Sequence, residues 1–247
     1  MTMRRLGKRL VLALASGGLA AAGPAAAAEP LPDPFVRLAD VAPEIRQDMR
    51  YASADNFTGA RVPGYRAPTC ILTRPAAEAL AEVQERLQAD GYSLIVFDCY
   101  RPEKAVAAFM DWTRSNDPGD RYFYPEIDKA SIVPDGYVAE RSGHSRGSTV
   151  DLAIVAAERE MPLPPRPGRC DFSSAPSTGI EFGTDYDCFS PLSATESTEV
   201  SPQAQANRRL LLDAMTDAGF KNLPEEWWHY TFQPEPFPDS YFDFDVE

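Results

Sequence analysis

The sequence predicts a single α+β domain, in which helices and strands alternate without the strict strand–helix–strand repetition of a parallel sheet. Two observations predict this class. Apolar residues recur at helical spacing in three segments that begin at a proline or a capping residue. Three other segments are short and rich in apolar, β-branched or aromatic residues, which is typical of strands; they are YSLIVFDCY (92–100), TVDLAIV (149–155) and WWHYTF (227–232).

The three predicted helices have recognisable ends. Thr73 opens the first helix and Gly91 closes it, whereas Pro102 begins the second. Ser201 caps the third helix, which ends at Gly219. The apolar faces predicted to point inward are Leu80, Val83 and Leu87 in the first helix, Val106, Phe109 and Met110 in the second, and Leu210 and Leu211 in the third.

The first 28 residues predict a cleaved secretory signal peptide. A basic segment precedes an apolar stretch, and small residues follow up to Ala28. The apolar stretch is too short and too rich in glycine and alanine for a stable membrane span. We therefore expect residues 29–247 to form one exported domain, periplasmic or secreted, with no membrane span after cleavage.

Charge excludes two classes of partner. The chain has 24 basic and 37 acidic residues, a formal net charge of −13, and the signal peptide would remove only basic ones. Such an acidic protein is not expected to bind nucleic acid or an anionic membrane surface. The oligomeric state is left open.

Four cysteines in an exported chain predict two disulfides. A cysteine zinc cluster is the alternative, but the sequence contains no C-x-x-C pair. Three pairings are possible, and order along the chain favours Cys70–Cys99 and Cys170–Cys188. Residues 156–200 are rich in Pro, Ser, Gly and Asp, which predicts a long loop region that the second disulfide would hold.

The chain contains only two histidines, and each lies near an acidic residue. His144 belongs to SGHSRGSTVD, a Ser/Gly-rich segment with little apolar cover for a ring, seven residues before Asp151. His229 follows Glu226 by three residues in PEEWWHYTF. A lone histidine in an aromatic strand is usually a packed residue, but two such pairs favour a metal site. His144, Asp151 and His229 would provide two nitrogens and a carboxylate, which is the ligand set of a catalytic zinc site with its fourth position free for water.

A metal-dependent hydrolase also needs a base for the proton of the attacking water. Glu226 can fill this role only from a turn after Pro224, because residues three apart in a regular strand face opposite sides. Glu225 competes on proximity alone. A solvated turn is the alternative for both glutamates.

The two motifs together resemble a known family. S-x-H-x-x-G-x-x-x-D at 142–151, followed by E-x-W-H at 226–229, is similar to the zinc D-alanyl-D-alanine dipeptidases of the vancomycin-resistance type. YASADNFTG, FDCYRP, NRR and SYFDF also resemble that family and occur in the same order. The resemblance implies a central, mainly antiparallel sheet flanked by helices, in the zinc fold shared with D,D-carboxypeptidases and the hedgehog domain.

The resemblance also implies roles for individual residues. His144, Asp151 and His229 correspond to the ligands of one zinc ion per chain, and Glu226, rather than Glu225, to the general base. Arg101 resembles the arginine that stabilises the oxyanion, a role suited to a cation directly after a buried strand. From the residues alone, a surface arginine that caps the next helix is the alternative.

Three further positions correspond to substrate contacts. Tyr51 and Asp187 resemble the pair that holds the substrate ammonium, and Ser142 a further contact in the pocket. The segment around Asp187 departs from the family pattern at Cys188, so Asp185 is an alternative partner for the ammonium.

The function implied is the zinc-dependent hydrolysis of the dipeptide D-Ala-D-Ala, with scavenging of wall-derived dipeptide as the role of an exported enzyme. One alternative is a D,D-carboxypeptidase or peptidoglycan endopeptidase that acts on longer stem peptides. The other is a zinc-bearing binding module without turnover. Such a module needs neither Glu226 nor Arg101, so the presence of both favours an enzyme.

Overall fold

The computed structural model describes residues 30–158, 169–172 and 178–247. The predicted signal peptide lies outside the described residues. No helix in the described ranges has the length and apolar character needed to cross a membrane.

A five-stranded sheet forms the centre of the domain, in the order β2-β4-β5-β7-β6. Only the pairing of β2 with β4 is parallel, and the other three pairings are antiparallel. A separate antiparallel pair joins β1 to β3. The expected mainly antiparallel α+β fold is confirmed, and its strands are β1 (Phe35–Arg37), β2 (Arg46–Gln47), β3 (Ile71–Thr73), β4 (Tyr92–Asp98), β5 (Thr149–Ala156), β6 (Phe220–Asn222) and β7 (His229–Phe232).

Three α-helices occur in the described part of the chain, and all three were predicted. They are α1 (Arg74–Ala89), α2 (Glu103–Arg114) and α3 (Pro202–Asp217). Ser201 caps α3, because its hydroxyl accepts a hydrogen bond from the backbone N–H of Ala204 at 3.1 Å. Gly91, just beyond α1, has φ +80°, a conformation that glycine adopts without steric cost.

One boundary differs from the prediction. Trp227 and Trp228 precede the last strand, which begins at His229. Both indole rings are buried, and the Trp227 ring stacks on Phe182 with centroids 4.1 Å apart. The apolar run therefore fills the core before the strand begins.

Two apolar clusters make up the core. The first packs α1 and α3 against the sheet. The second is mainly aromatic and surrounds α2, where the ring centroid of Phe57 lies 4.8 Å from that of Phe109. The clusters meet where the hydroxyl oxygens of Tyr186 and Tyr51 lie 3.3 Å apart. The predicted site residues Tyr51 and Asp151 lie at this junction.

Both predicted disulfides are present. Cys70–Cys99 links the residue before β3 to the residue after β4. Cys170–Cys188 lies within the predicted loop region, whose described residues beyond β5 contain only 3₁₀ turns.

Candidate active site

Three adjacent strands bring Asp98, Asp151 and His229 into one row. Asp151 on β5 lies directly opposite Asp98 on β4 and His229 on β7. A register shift in β4 places Asp98, rather than Phe97, opposite Asp151. Residues directly opposite each other in a sheet point to the same face, so the three polar side chains meet.

His144 reaches this row from a short 3₁₀ helix, Gly143–Arg146. Ser142 caps the helix by accepting from the His144 N–H, and Gly147 ends it at φ +83°. A Cβ at Gly147 would lie 2.2 Å from the ring of Phe35, so the chain can turn back into β5 here only with glycine.

The ring of His144 is held in one tautomer. Its Nδ1 lies 2.7 Å from the carbonyl oxygen of Cys99, which can only accept a hydrogen bond. Nδ1 therefore carries the hydrogen, and Nε2 presents its lone pair. Contrary to the expectation of little apolar cover, the ring is only 1% exposed.

The three predicted ligands converge. Nε2 of His144 and Nδ1 of His229 lie 3.3 and 3.1 Å from Oδ1 of Asp151, and one ligand atom from each residue lies within 4.8 Å of the others. His144 Nε2 and Asp151 Oδ1 are buried, and neither has a hydrogen-bond partner among the described residues. Such atoms are costly unless a cation lies between them. The donor set, two imidazoles and a carboxylate, therefore fits a divalent metal ion.

The charges around these atoms also favour a cation. Burial lowers the pKa of His229, but the carboxylates of Asp151 and Glu226, 3.1 and 3.4 Å from its Nδ1, outweigh burial and raise this pKa to about 10. Burial raises the pKa of Asp151, whereas the two histidines hold it well below its usual range. The site therefore stabilises positive charge at its centre.

Glu226 lies in the turn after Pro224, as its proposed role requires. Its Oε2 is 3.4 Å from Nδ1 of His229. The backbone N–H of Glu226 donates to Leu223, and that of His229 donates to Glu226, which bends the chain just before β7. Glu225 is exposed. The turn thus directs Glu226, and not Glu225, to the ligands.

Arg101 points into the site instead of capping α2 at the surface. Its Nε and Nη2 bind Oδ2 of Asp98 at 2.9 and 2.8 Å, and Nη2 lies 3.8 Å from Asp151. The guanidinium also lies 5.1 Å from the ring centroids of Tyr51 and Phe109. The charge is therefore fixed beside the ligands.

Asp98 is a site residue that the sequence analysis missed. It is fully buried, and it also accepts a hydrogen bond from the hydroxyl of Tyr65 at 2.6 Å. A carboxylate at the end of a strand as apolar as YSLIVFD was the signal available, because an isolated buried charge is costly.

Tyr51 and Asp187 form the second end of the site. The Tyr51 hydroxyl donates to Oδ2 of Asp187 at 2.8 Å. Asp187 is 7% exposed, and burial raises its pKa to about 8 although the Tyr51 hydrogen bond opposes this. Asp185 instead accepts from the hydroxyl of Tyr122. The geometry therefore pairs Tyr51 with Asp187, not with Asp185.

Asp187 also has an unusual backbone. Its φ is +63°, the only positive value at a non-glycine position in the described ranges. Its neighbour Tyr186, another residue missed from the sequence, donates to Oδ2 of Asp151 at 3.2 Å. Adjacent residues thus contact the two ends of the site.

All eight predicted site residues border one cavity of about 300 Å³. A larger groove of about 660 Å³, beside Leu212 and Pro224, has no histidine or arginine among the described residues that line it, so the smaller cavity is the candidate active site. The eight residues are Tyr51, Arg101, Ser142, His144, Asp151, Asp187, Glu226 and His229.

The chain is similar in sequence to known proteins along most of its length. The sequence matches the D-ala-D-ala dipeptidase family over residues 33–163 and 174–247. The chain belongs to this family. Its membership supports a hydrolytic peptidase, and the single α+β domain is consistent with the family fold.

Several family members are similar over most of their length. A D-alanyl-D-alanine dipeptidase of Streptomyces coelicolor is 38% identical over 206 residues, which cover 82% of this chain and 93% of the relative. Proteins of the same name from Enterococcus faecium and Escherichia coli are 34% and 31% identical. The first of these matches spans 86% of this chain and 98% of the relative, and the second 79% and 83%.

Proposed function

We propose that this protein is a zinc-dependent dipeptidase that hydrolyses D-Ala-D-Ala to two molecules of D-alanine. The observation that carries the proposal is the convergence of a metal-ligand set and a buried Tyr51–Asp187 pair in one small cavity. The dipeptidase names of the relatives support the same substrate.

His144, Asp151 and His229 would hold one zinc ion. When bound, such an ion supplies Lewis-acid chemistry, because it polarises a carbonyl oxygen and makes water more acidic. The Cys99 carbonyl keeps His144 in the tautomer that a ligand needs, as outer hydrogen bonds to ligating histidines generally do.

Glu226 acts as the general base. Its carboxylate can accept the proton of the water that attacks the scissile carbonyl, and can then donate that proton to the departing amine. Its place in a turn beside His229 supports this role, because the carboxylate borders the cavity without being one of the three converging ligands.

Arg101 stabilises the negative charge that develops on the carbonyl oxygen. Asp98 and the rings of Tyr51 and Phe109 fix its guanidinium before substrate arrives. Preorganised charge of this kind lowers the barrier, because little reorganisation is needed during the reaction.

Asp187 and Tyr51 bind the free ammonium of the substrate, and Ser142 provides a further polar contact. The carboxylate of Asp187 is buried and has lost most of its hydration. A small cation beside it therefore stabilises its charge more than it would at the surface. This closed end favours a dipeptidase over a D,D-carboxypeptidase or endopeptidase, whose longer substrates have an acylated amine there. Glu226 and Arg101 argue against a non-catalytic binding module.

Export through the signal peptide at residues 1–28 would place the enzyme in the periplasm or outside the cell. There it would meet D-Ala-D-Ala released from cell wall, which supports a role in scavenging this dipeptide.

The decisive experiment compares kcat/KM for D-Ala-D-Ala and for N-acetyl-D-Ala-D-Ala, before and after chelation and after zinc is restored. Acetylation removes the ammonium and leaves Asp187 without its partner, so we expect the free dipeptide to be preferred by about 10–100-fold. Chelation should abolish activity, and zinc should restore it. Equal or better cleavage of the acetylated substrate would favour the carboxypeptidase alternative.

A further inference from the structure

Three arginines of the described residues border the cavity, and two of them form ion pairs. Arg101 binds Asp98, as described above. Arg146 forms a two-point ion pair with Glu235, from Nε at 2.7 Å and from Nη2 at 2.8 Å, and its Nη1 donates to the hydroxyl of Tyr241 at 3.2 Å. The donors of Arg146 are thus occupied, and Arg101 is the residue proposed to stabilise the oxyanion.

Arg141 is the exception. Its guanidinium lies over the ring of Tyr241, 4.0 Å from the centroid, and the residue is exposed. No carboxylate of the described residues forms an ion pair with Arg141. It directly precedes Ser142, the cap of the 3₁₀ helix that carries His144. A cation without an anionic partner is thus held at the edge of the cavity.

The substrate of the proposed function supplies the missing anion. D-Ala-D-Ala is a zwitterion, and its ammonium belongs with Asp187 and Tyr51. Its carboxylate is repelled by Asp151 and Glu226 and needs a cation elsewhere in the cavity. A guanidinium presents paired donors that match the two oxygens of a carboxylate. Stacking on Tyr241 already restricts the Arg141 side chain, so less conformational entropy is lost when a carboxylate binds.

We propose that Arg141 binds the C-terminal carboxylate of the substrate and makes the enzyme selective for peptides with a free C-terminus. This rests on the proposed function and adds a specificity-determining residue. The two ends of the dipeptide are then recognised by opposite charges, Asp187 for the ammonium and Arg141 for the carboxylate. Tyr241 acts as a positioning residue for Arg141.

The test compares D-Ala-D-Ala with its C-terminal amide, which has the same shape and no negative charge. The wild-type protein should prefer the free acid by about 10–100-fold in kcat/KM. Arg141→Ala should reduce this preference to roughly threefold or less, mainly by raising KM for the acid, since the contact is the same in ground and transition states. Arg141→Lys should retain part of the preference, because it keeps the charge but loses the paired donors.

Arg86→Ala is the matched control. It removes one exposed arginine from α1, so it changes net charge by the same amount. This variant should keep the wild-type preference. A second readout is the Kd of D-Ala-D-Ala in a Glu226→Gln background, where Arg141→Ala should weaken binding by a similar factor without any turnover.

The outcomes separate the two proposals. A wild-type protein that cleaves the dipeptide, with an unchanged acid-to-amide ratio in folded Arg141→Ala, overturns the role of Arg141 and leaves the proposed function intact. A wild-type protein that neither cleaves nor binds the dipeptide overturns the proposed function, and the role of Arg141 with it.

Discussion

The two ends of the cavity are built in different ways. At the metal-ligand end, Asp151 and His229 lie on adjacent strands, and the strand register sets their distance. At the ammonium end, Tyr51 comes from a 3₁₀ turn and Asp187 from a loop with a left-handed backbone. Two of the three proposed metal ligands thus lie on the sheet, whereas the groups proposed to bind the substrate ammonium lie on a turn and a loop.

The ends also differ in how they treat charge. The metal-ligand end gathers negative charge around imidazoles and raises the pKa of His229 to about 10, even though burial lowers it. The ammonium end buries one carboxylate so deeply that the pKa of Asp187 rises to about 8. Under the proposed function, a cation would complete each end, a metal ion at the first and the substrate ammonium at the second.

The largest expected effect comes from breaking the metal-ligand end. His144→Ala and His229→Ala should each lose bound zinc and hydrolysis together, because two ligands do not make a stable site. Metal analysis of the purified variants tests this, with circular dichroism to verify folding. Full zinc content in both variants would contradict the proposed site.

Glu226→Gln should separate binding from chemistry at the same end. The variant should keep its zinc and lose about two to four orders of magnitude in kcat, the usual range for a removed general base. Glu225→Gln, one residue earlier and exposed, is the matched control and should remain near wild type. Near-normal turnover in Glu226→Gln would refute its role.

A smaller effect is expected at the ammonium end. Asp187→Asn should lower kcat/KM for D-Ala-D-Ala by about 10–100-fold, the value of a charge-assisted contact. The acetylated dipeptide should be affected much less, so the preference between the substrates narrows. Asp185→Asn should leave the preference unchanged, because Asp185 binds Tyr122. If the preference for the free dipeptide narrows only in Asp185→Asn, then Asp185 and not Asp187 binds the substrate ammonium.

The last expected effect concerns stability and pH. The pKa of Asp187 is about 8 in the folded chain against 3.8 for a free side chain, so the folded state holds this proton more tightly. Its stabilising contribution is complete below about pH 4 and is lost as pH rises through about 8. An asparagine at this position cannot ionise, so its contribution to stability does not change with pH. In the metal-free proteins, the free energy of unfolding of Asp187→Asn should therefore rise relative to wild type as pH increases over this range, by at most about 1.4 kcal/mol per pH unit. Thermal unfolding at several pH values measures the difference in stability between the two proteins. A stability difference that does not change with pH would contradict the raised pKa of Asp187.

Sequence reasoning succeeded where local patterns determine structure. Helical periodicity and capping residues predicted α1, α2 and α3, and the two histidine motifs predicted residues that converge in space. The strands β1, β2, β3 and β6 were not predicted, because two or three residues carry no measurable alternation.

The missed site residues depend on contacts between distant parts of the chain. Asp98 faces Asp151 only because of a register shift in β4, and Tyr186 reaches Asp151 from a loop 35 residues away. Neither contact follows from the spacing of residues in the sequence. The long apolar strand that ends in a carboxylate was the one local sign of Asp98.

Because Asp151 and His229 lie opposite each other on β5 and β7, binding of an ion would also stabilise the pairing of these two strands. His229 is the first residue of β7, which has only four residues, and β7 alone joins β6 to the remaining strands. An ion held by both side chains cross-links β5 to β7, and a shift of one residue would turn His229 to the opposite face. Binding to the folded chain therefore opposes local opening of this edge by mass action. Under the proposed function, amide hydrogen exchange in β6 and β7 should slow as the site fills with its ion.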